Sequence, residues 1–502
     1  MHVLKTLGQW LPLVGDGGLP RAFTLADGIP NTRSWSSPAI GPLAQVDVLV
    51  VGGGFSGVSA AHQAHQAGLT VLLLEAKHRI GGRTRSYKLV SGQVTELGGT
   101  WINKVHQPNI YELTQKFGLE LQAQDPSGDS ILQLPNGTVI RSSGDDELAT
   151  RYPALVNALA QTGIALETGA HAFNFSQMNE PDDISFADWG RGKGLDKDPL
   201  SWASLEQLSS CSFGLSSEQV GMYWALDWIY SAGGTEAMAR EDPDGSNALK
   251  VVEGISTVAA RLADELPPGS VRLNTPVESI TQNNAEYGVL VTTTTGESFL
   301  AKKVISSIPS STYYKIKFTP PLPAPKRVFY AQPRPGYYAK ATLTYQRSWW
   351  HEAGWGGRFT SMKGPLATGI DASIEHHTLS VYLAGETSMD WHQKSKLQRQ
   401  QEVIEHLAEL VGPTLASDAR DVTEYNEIMW TAEEYIEAGP IGFFGQKALG
   451  GHGSELRAPF MHVHIAGTDT AWEYKGYIEG AVTSGRMAAS EVIGLLKGSK
   501  LA

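Results

Sequence analysis

Val46-Asp47-Val48-Leu49-Val50-Val51-Gly52-Gly53-Gly54-Phe55-Ser56-Gly57 is the stretch that decides the fold. Its apolar run Val46–Val51 is short and β-branched, as expected of a strand buried on both faces. Gly52-x-Gly54-x-x-Gly57 follows at once, and Val58 to Gly68 has the character of a helix closed by a C-terminal glycine. A second apolar run, Leu69–Leu74, ends on Glu75, 23 residues after Gly52. Strand, glycine turn, helix, strand and acid stand in the order a dinucleotide site needs. Gly52 allows the tight turn, Gly54 lets backbone approach a pyrophosphate, and Gly57 lets the helix sit close to the strand. The free N–H groups at the helix start favour phosphate, and Glu75 is placed to accept hydrogen bonds from an adenosine ribose.

Around this unit the chain is long enough, at 502 residues, for two domains with substantial cores. A net charge of −12 argues against nonspecific nucleic-acid binding. Cys211 is the single cysteine, so an internal disulfide and thiolate zinc sites are excluded. No run of 18 apolar residues is present, and no membrane span is expected. Residues 1–44 are rich in Gly, Pro and Ser and lack a signal-peptide core, which predicts an irregular arm. The Ser499-Lys500-Leu501 sequence is a peroxisomal address only at the very terminus, and Ala502 follows it. An intracellular protein, cytoplasmic or peroxisomal and not secreted, is expected.

Further signals follow in order. Arg79-Ile80-Gly81-Gly82-Arg83 and Glu96-Leu97-Gly98-Gly99-Thr100-Trp101 place paired glycines beside arginines, as where backbone passes a flat or phosphorylated ligand. From about 106 to 245 the apolar spacing is mostly helical, with Tyr230 and Gly233-Gly234 as candidate cavity lining. Strand patterns return at Val271–Leu273, Val277–Thr281, Val289–Thr294 and Val304–Pro309, and alternation resumes at Tyr338–Tyr345. Near the end, His462–Ala466 is a strand running into Gly467-Thr468-Asp469, and Gly476–Ala481 opens a long helix to about Leu496. That helix start is a second place to hold an electron-rich group.

These blocks together resemble the flavin-containing amine oxidase family, with fungal monoamine oxidases the nearest flavour. The resemblance rests on VVGGGFSG with Glu75, RIGGRTRS, ELGGTW, KVVEGIS, LNTPV, VISSIP and IAGTDTAWEYKGYIEGA. It implies an α/β fold: a Rossmann-like FAD domain built from three segments, with an inserted α+β substrate domain of mixed sheet plus helices. The expected division is an arm at 1–44, FAD segments at 45–105, 246–318 and 429–498, a helical substrate part at 106–245, a sheet part at 319–428 and a tail at 499–502. It further implies that Gly52, Gly54 and Gly57 hold the FAD pyrophosphate, Glu75 the ribose, and Val277 the adenine through its backbone. Arg83 falls near the pyrophosphate, Gly98, Gly99 and Thr100 near the flavin ring, and Trp430 packs beside it. Gly467 and Asp469 form the turn near the ribityl chain, and Ile478 offers its N–H to the ring carbonyl. Lys340 resembles the family lysine that holds a water against flavin N5, and Tyr477 one aromatic wall for the amine.

Two departures shape the functional expectation. The family cysteine that bonds flavin covalently falls on Gly439, so FAD is expected to bind without a covalent link. The second aromatic wall falls on Pro440, which leaves Phe443 or Phe444 to swing in. The resemblance implies FAD-dependent oxidative deamination of a primary amine, aliphatic or arylalkyl, with O2 reduced to hydrogen peroxide. A homodimer is compatible with it. An amino-acid or polyamine oxidase, a flavin desaturase of a non-amine metabolite and a flavin-binding scaffold are the alternatives.

Overall fold

A computed structural model of the chain describes residues 45–171, 180–284 and 288–498; the expected arm at 1–44 and tail at 499–502 lie outside them. Strand β1 (Gln45–Val51), helix α1 (Phe55–Gln66) and strand β2 (Val71–Leu74) form the expected unit. β1 pairs in parallel with β2 on one side and with Ser298–Ser306 on the other. The latter strand is shared along its length. Its first half pairs antiparallel with Gly288–Thr293 and its last three residues pair in parallel with Val463–Ile465. The resulting eight-stranded sheet gathers chain from residues 45–74, 271–319 and 463–465.

Alternation explains why β1 carries no polar face. Val48 and Val50 point into a core shared with α1, Ser256–Asp264 and the terminal helix Ile478–Lys497. Leu49 and Val51 point into a second core on the opposite face. A strand covered on both faces has to be apolar throughout.

A seven-stranded sheet forms the second part, in the order Glu424–Met429, Tyr338–Tyr345, His377–Ala384, Thr368–Asp371, Trp355–Ser361, Asp129–Gln133, Val139–Ser142. Helices Pro153–His171, Phe186–Gly192, Pro199–Phe213 and Met222–Ser231 make the helical lobe. The mostly helical expectation for 106–245 needs correction at its start. Leu121–Ala123, Asp129–Gln133 and Val139–Ser142 are strands, and the latter two are the last two strands at one side of the seven-stranded sheet. Short strands with polar residues on both faces, such as Asp129-Ser130-Ile131-Leu132-Gln133, leave too little periodicity to stand out. No helix among the described residues is long and apolar enough to cross a membrane.

The terminal helix crosses α1 at near contact. A Cβ built on Gly485 would lie 2.1 Å from the Ser56 carbonyl oxygen, and one on Gly57 would lie 1.9 Å from that of Gly52. Neither obstacle is a movable side chain, so a larger residue separates the elements that carry the site. Gly485→Val is expected to lower stability by about 1–3 kcal/mol, measured as a fall in denaturation midpoint of the purified protein.

Candidate active site

Both long elements that frame the glycine turn end in open helix starts. Gly54 caps α1 and Tyr477 caps the terminal helix, and neither start has a side-chain cap. Both face the same cavity of about 490 Å³, a size typical of small-molecule sites. Uncapped N–H groups favour an acceptor or anion there. Gly52 and Gly54 line the cavity, whereas Gly57 stands behind them as the contact between helix and turn. Gly52 adopts φ +104, and a Cβ there would lie 2.8 Å from Ser307 Oγ. Only glycine suits that conformation.

Glu75 closes one end of the cavity. Its carboxylate accepts from the N–H of Gly53 at 2.5 Å and of Lys77 at 2.8 Å, while burial raises its pKa. Val277 lines the same wall beside Thr275 and Glu278. The arginine–glycine loop is pinned from within: Arg79 donates to the carbonyls of Gly82 and Thr84, and burial pulls its pKa down to about 10. Arg83 lines the cavity and donates to the Pro440 carbonyl at 2.7 Å and to Asp469 at 3.0 and 3.1 Å. Asp469 also accepts from the N–H and the hydroxyl of Ser310. The turn expected near the ribityl chain therefore divides its work. Gly467 and Thr468 form the wall, and Asp469 is buried, turned onto Arg83 and Ser310.

The other end holds Lys340. On the strand Tyr338–Tyr345, Ala339, Ala341, Leu343 and Tyr345 enter the core of the seven-stranded sheet, which leaves Tyr338 and Lys340 on the cavity side. Lys340 is almost wholly buried and donates to Thr100 Oγ1 at 2.7 Å and to the Gly98 carbonyl at 3.1 Å. Its Nζ lies 5.3 Å from the ring centroids of both Trp101 and Tyr382. Burial lowers its pKa, opposed by the buried Glu96 carboxyl, whose own pKa burial raises. Trp430 lines the cavity and donates to the Leu97 carbonyl. Gly98, Gly99, Thr100, Gly439, Pro440, Tyr477 and Ile478 complete this end.

Three sequence expectations fail here. Phe443 and Phe444 are fully buried in the helical-lobe core, packed on Phe213, Trp224 and Phe329, and do not reach the cavity. Tyr230 is 52% exposed and is not part of the cavity lining. Sequence reasoning missed Tyr338 and Tyr382, whose rings stand 6.0 Å apart on neighbouring strands. The available signal was alternation with Lys340, two residues from Tyr338, and the cross-strand register Lys340↔Tyr382 is invisible before pairing. Gly439 makes the room: a Cβ there would press on the Cβ atoms of Trp430 at 3.0 Å and Tyr338 at 3.1 Å.

The residues present fit an FAD. Ser56 Oγ lines the cavity at the α1 start, buried and without a protein partner, as a phosphate-binding hydroxyl would be. The glycine cradle and the second open helix start suit the remaining length of the molecule. No cluster suited to a metal ion occurs among the described residues.

Comparison with known proteins gives the same answer. The family model for flavin-containing amine oxidoreductases matches residues 55–493. A probable flavin-containing monoamine oxidase A of Dictyostelium discoideum is 28% identical over 464 residues, covering 91% of this chain and 99% of that protein. Human flavin-containing amine oxidase B is 28% identical over 463 residues, covering 89% and 86%. Among solved structures, putrescine oxidase bound to putrescine superposes with TM-score 0.80 at 25% identity, covering 90% of this chain and 100% of that one. Cyclohexylamine oxidase from Brevibacterium oxydans gives TM-score 0.79 at 25% identity, covering 90% and 99%. The chain belongs to the flavin-containing amine oxidoreductase family and is an FAD-dependent, amine-oxidising enzyme.

Arg83 and Asp469 join segments that must close around the cofactor. Arg83→Met leaves the Asp469 carboxylate buried with only Ser310 as partner, a costly state. The variant is expected to bind FAD at least tenfold more weakly, measured by titrating the apoprotein and following flavin fluorescence.

Proposed function

We propose that this enzyme deaminates a primary monoamine with an apolar or arylalkyl tail, using FAD held without a covalent link. One observation carries the substrate class: Tyr338, Tyr382 and Tyr477 line the cavity with Lys340, and no acidic side chain lines that end among the described residues. Glu75, Glu278 and Glu434 line the opposite end, together with Lys77 and Lys315. A polyamine needs a carboxylate for its second ammonium and an amino acid needs a cation for its carboxylate. Arg83 is committed to Asp469 and the Pro440 carbonyl. The desaturase reading rested on Pro440 leaving a half-open cage, and Tyr338 supplies an aromatic face from the adjoining strand.

FAD held by the glycine turn, Ser56 and the start of the terminal helix would supply the two-electron acceptor for the carbon bearing the amine, with O2 as the final oxidant reduced to hydrogen peroxide. The protein's part is placement and exclusion of water. Tyr477 and Tyr338 present ring faces toward the amine nitrogen, and the same apolar surroundings favour its neutral form. Lys340, fixed by Thr100 and Gly98, would hold a water beside the flavin ring, and Ile478 at the open helix start would offer its N–H to a ring carbonyl. The imine hydrolyses to an aldehyde or ketone and ammonia. Cys211 hydrogen-bonds Gln207 away from the cavity lining, and burial pushes its thiol pKa up to about 12, which supports a non-covalent cofactor. The same reading includes the fungal monoamine oxidase likeness, the division into three FAD segments and an inserted substrate domain, a homodimer, and a cytoplasmic or peroxisomal setting.

Primary arylalkyl amines should bleach the flavin absorbance anaerobically, readmitted air should release peroxide, and acid precipitation should free all the flavin. Protein left unbleached by every amine in a broad panel overturns the proposal in favour of the desaturase or scaffold. Lys340→Met is expected to slow reoxidation tenfold or more while anaerobic bleaching persists. Because burial lowers the Lys340 pKa, its charge is lost as pH rises, before the ordinary lysine range is reached. The wild-type reoxidation rate should fall across that window, and the Met variant should show no such fall.

A further inference from the structure

Two residues before Tyr477, Lys475 is completely buried. Its ammonium forms an ion pair with Asp227, itself buried on the helix Met222–Ser231 of the helical lobe. The same Nζ lies 4.5 Å from the ring centroid of Trp224, one turn earlier on that helix. Burial takes the Lys475 pKa down to about 7, so an ammonium parted from the Asp227 carboxylate would sit in surroundings that disfavour its charge.

The rest of the contact follows one helix face. Trp224, Asp227, Trp228 and Ser231 stand at i, i+3, i+4 and i+7, the spacing of a single stripe. Ser231 accepts from the N–H of Tyr474 through its carbonyl at 2.7 Å and from that of Lys475 through its hydroxyl at 3.3 Å. Trp228 stacks on Tyr477 with ring centroids 6.4 Å apart and planes 23° from parallel. Gly476 adopts φ +86, and a Cβ there would lie 2.9 Å from Trp228 Nε1, so the turn lies flat on the helix. Tyr477 then caps the terminal helix, whose first turn faces the cavity. One surface of the helical lobe thus fixes both a wall of the substrate space and a helix start aimed at the cofactor.

We propose that the buried Asp227–Lys475 pair is a clamp that sets the position of Tyr477 and of the first turn of the terminal helix, making both residues positioning residues for amine oxidation. The argument rests on the assignment of Tyr477 as a substrate wall. An apolar contact could hold the two elements together equally well, but it would tolerate sliding. An ammonium confined between one carboxylate and one ring face admits a single arrangement, because any displacement strands a buried charge.

The test uses the FAD-loaded full chain. Asp227→Asn/Lys475→Met removes both charges at similar volume, and Asp227→Asn alone keeps a hydrogen-bond acceptor while removing the anion. Amide hydrogen exchange in the segment 474–481 should accelerate about tenfold or more in the single variant, which leaves the Lys475 ammonium buried without its anion, and by a smaller but clear factor in the double one, with exchange elsewhere unchanged. The amine-driven rate of anaerobic flavin bleaching should fall about tenfold, and reaction with O2, which depends on Lys340, should stay at the wild-type rate. Wild-type exchange in 474–481 in both variants overturns the clamp. A general rise in exchange across the chain also overturns it, because the pair then serves stability alone. A wild-type protein that no amine bleaches would sink the amine assignment, and the exchange comparison would still decide the clamp.

Discussion

The site depends on a buried carboxylate that joins three distant parts of the chain. Asp469, at the end of the last strand of the large sheet, accepts from Arg83 in the glycine–arginine loop and from Ser310 after the strand Ser298–Ser306. Arg83 also reaches the carbonyl of Pro440, in the chain that returns from the second sheet. A carboxylate this deeply buried is stable only with its partners in place. The cavity wall therefore exists only once strands separated by hundreds of residues have paired.

At the other end the constraint is sheet register. Pairing of Tyr338–Tyr345 with His377–Ala384 sets Lys340 opposite Tyr382 and puts the alternate side chains into the core. Lys340 is then buried, held by Thr100 and the Gly98 carbonyl, with its charge opposed by burial. A one-residue slip would send Lys340 into the apolar core and Ala339 to the cavity. The placement of Lys340 is a by-product of strand pairing, which is more rigid than a loop.

The aromatic surroundings show what pattern alone misses. Phe443, Phe444 and Tyr230 are plausible cavity residues by type and neighbourhood, yet the first two complete the core and the third faces solvent. Tyr338 lines the cavity together with Pro440, and Gly439 carries no side chain to press on it. Lys475 is a similar case, since a lysine in Trp472-Glu473-Tyr474-Lys475-Gly476-Tyr477 has no visible partner until Asp227, 248 residues earlier, packs against it.

By itself, the sequence determined the dinucleotide unit from Val46 to Glu75, the glycine loops at 79–85 and 96–101, the strand, turn and helix from 462 onward, and the absence of a nearby cysteine. These features were legible because each is local: glycine conformation, helix starts and continuous apolar strands depend on residues close in sequence. Tertiary structure alone decided which aromatics face the cavity, that Asp469 serves Arg83, and that Asp227 meets Lys475. It also revealed the short strands between 121 and 142, whose polar residues hide their period. Each of these depends on long-range strand register or on a helix face meeting a distant turn. No local periodicity encodes such a meeting, because the energy that fixes it arises only when the two surfaces exclude water together.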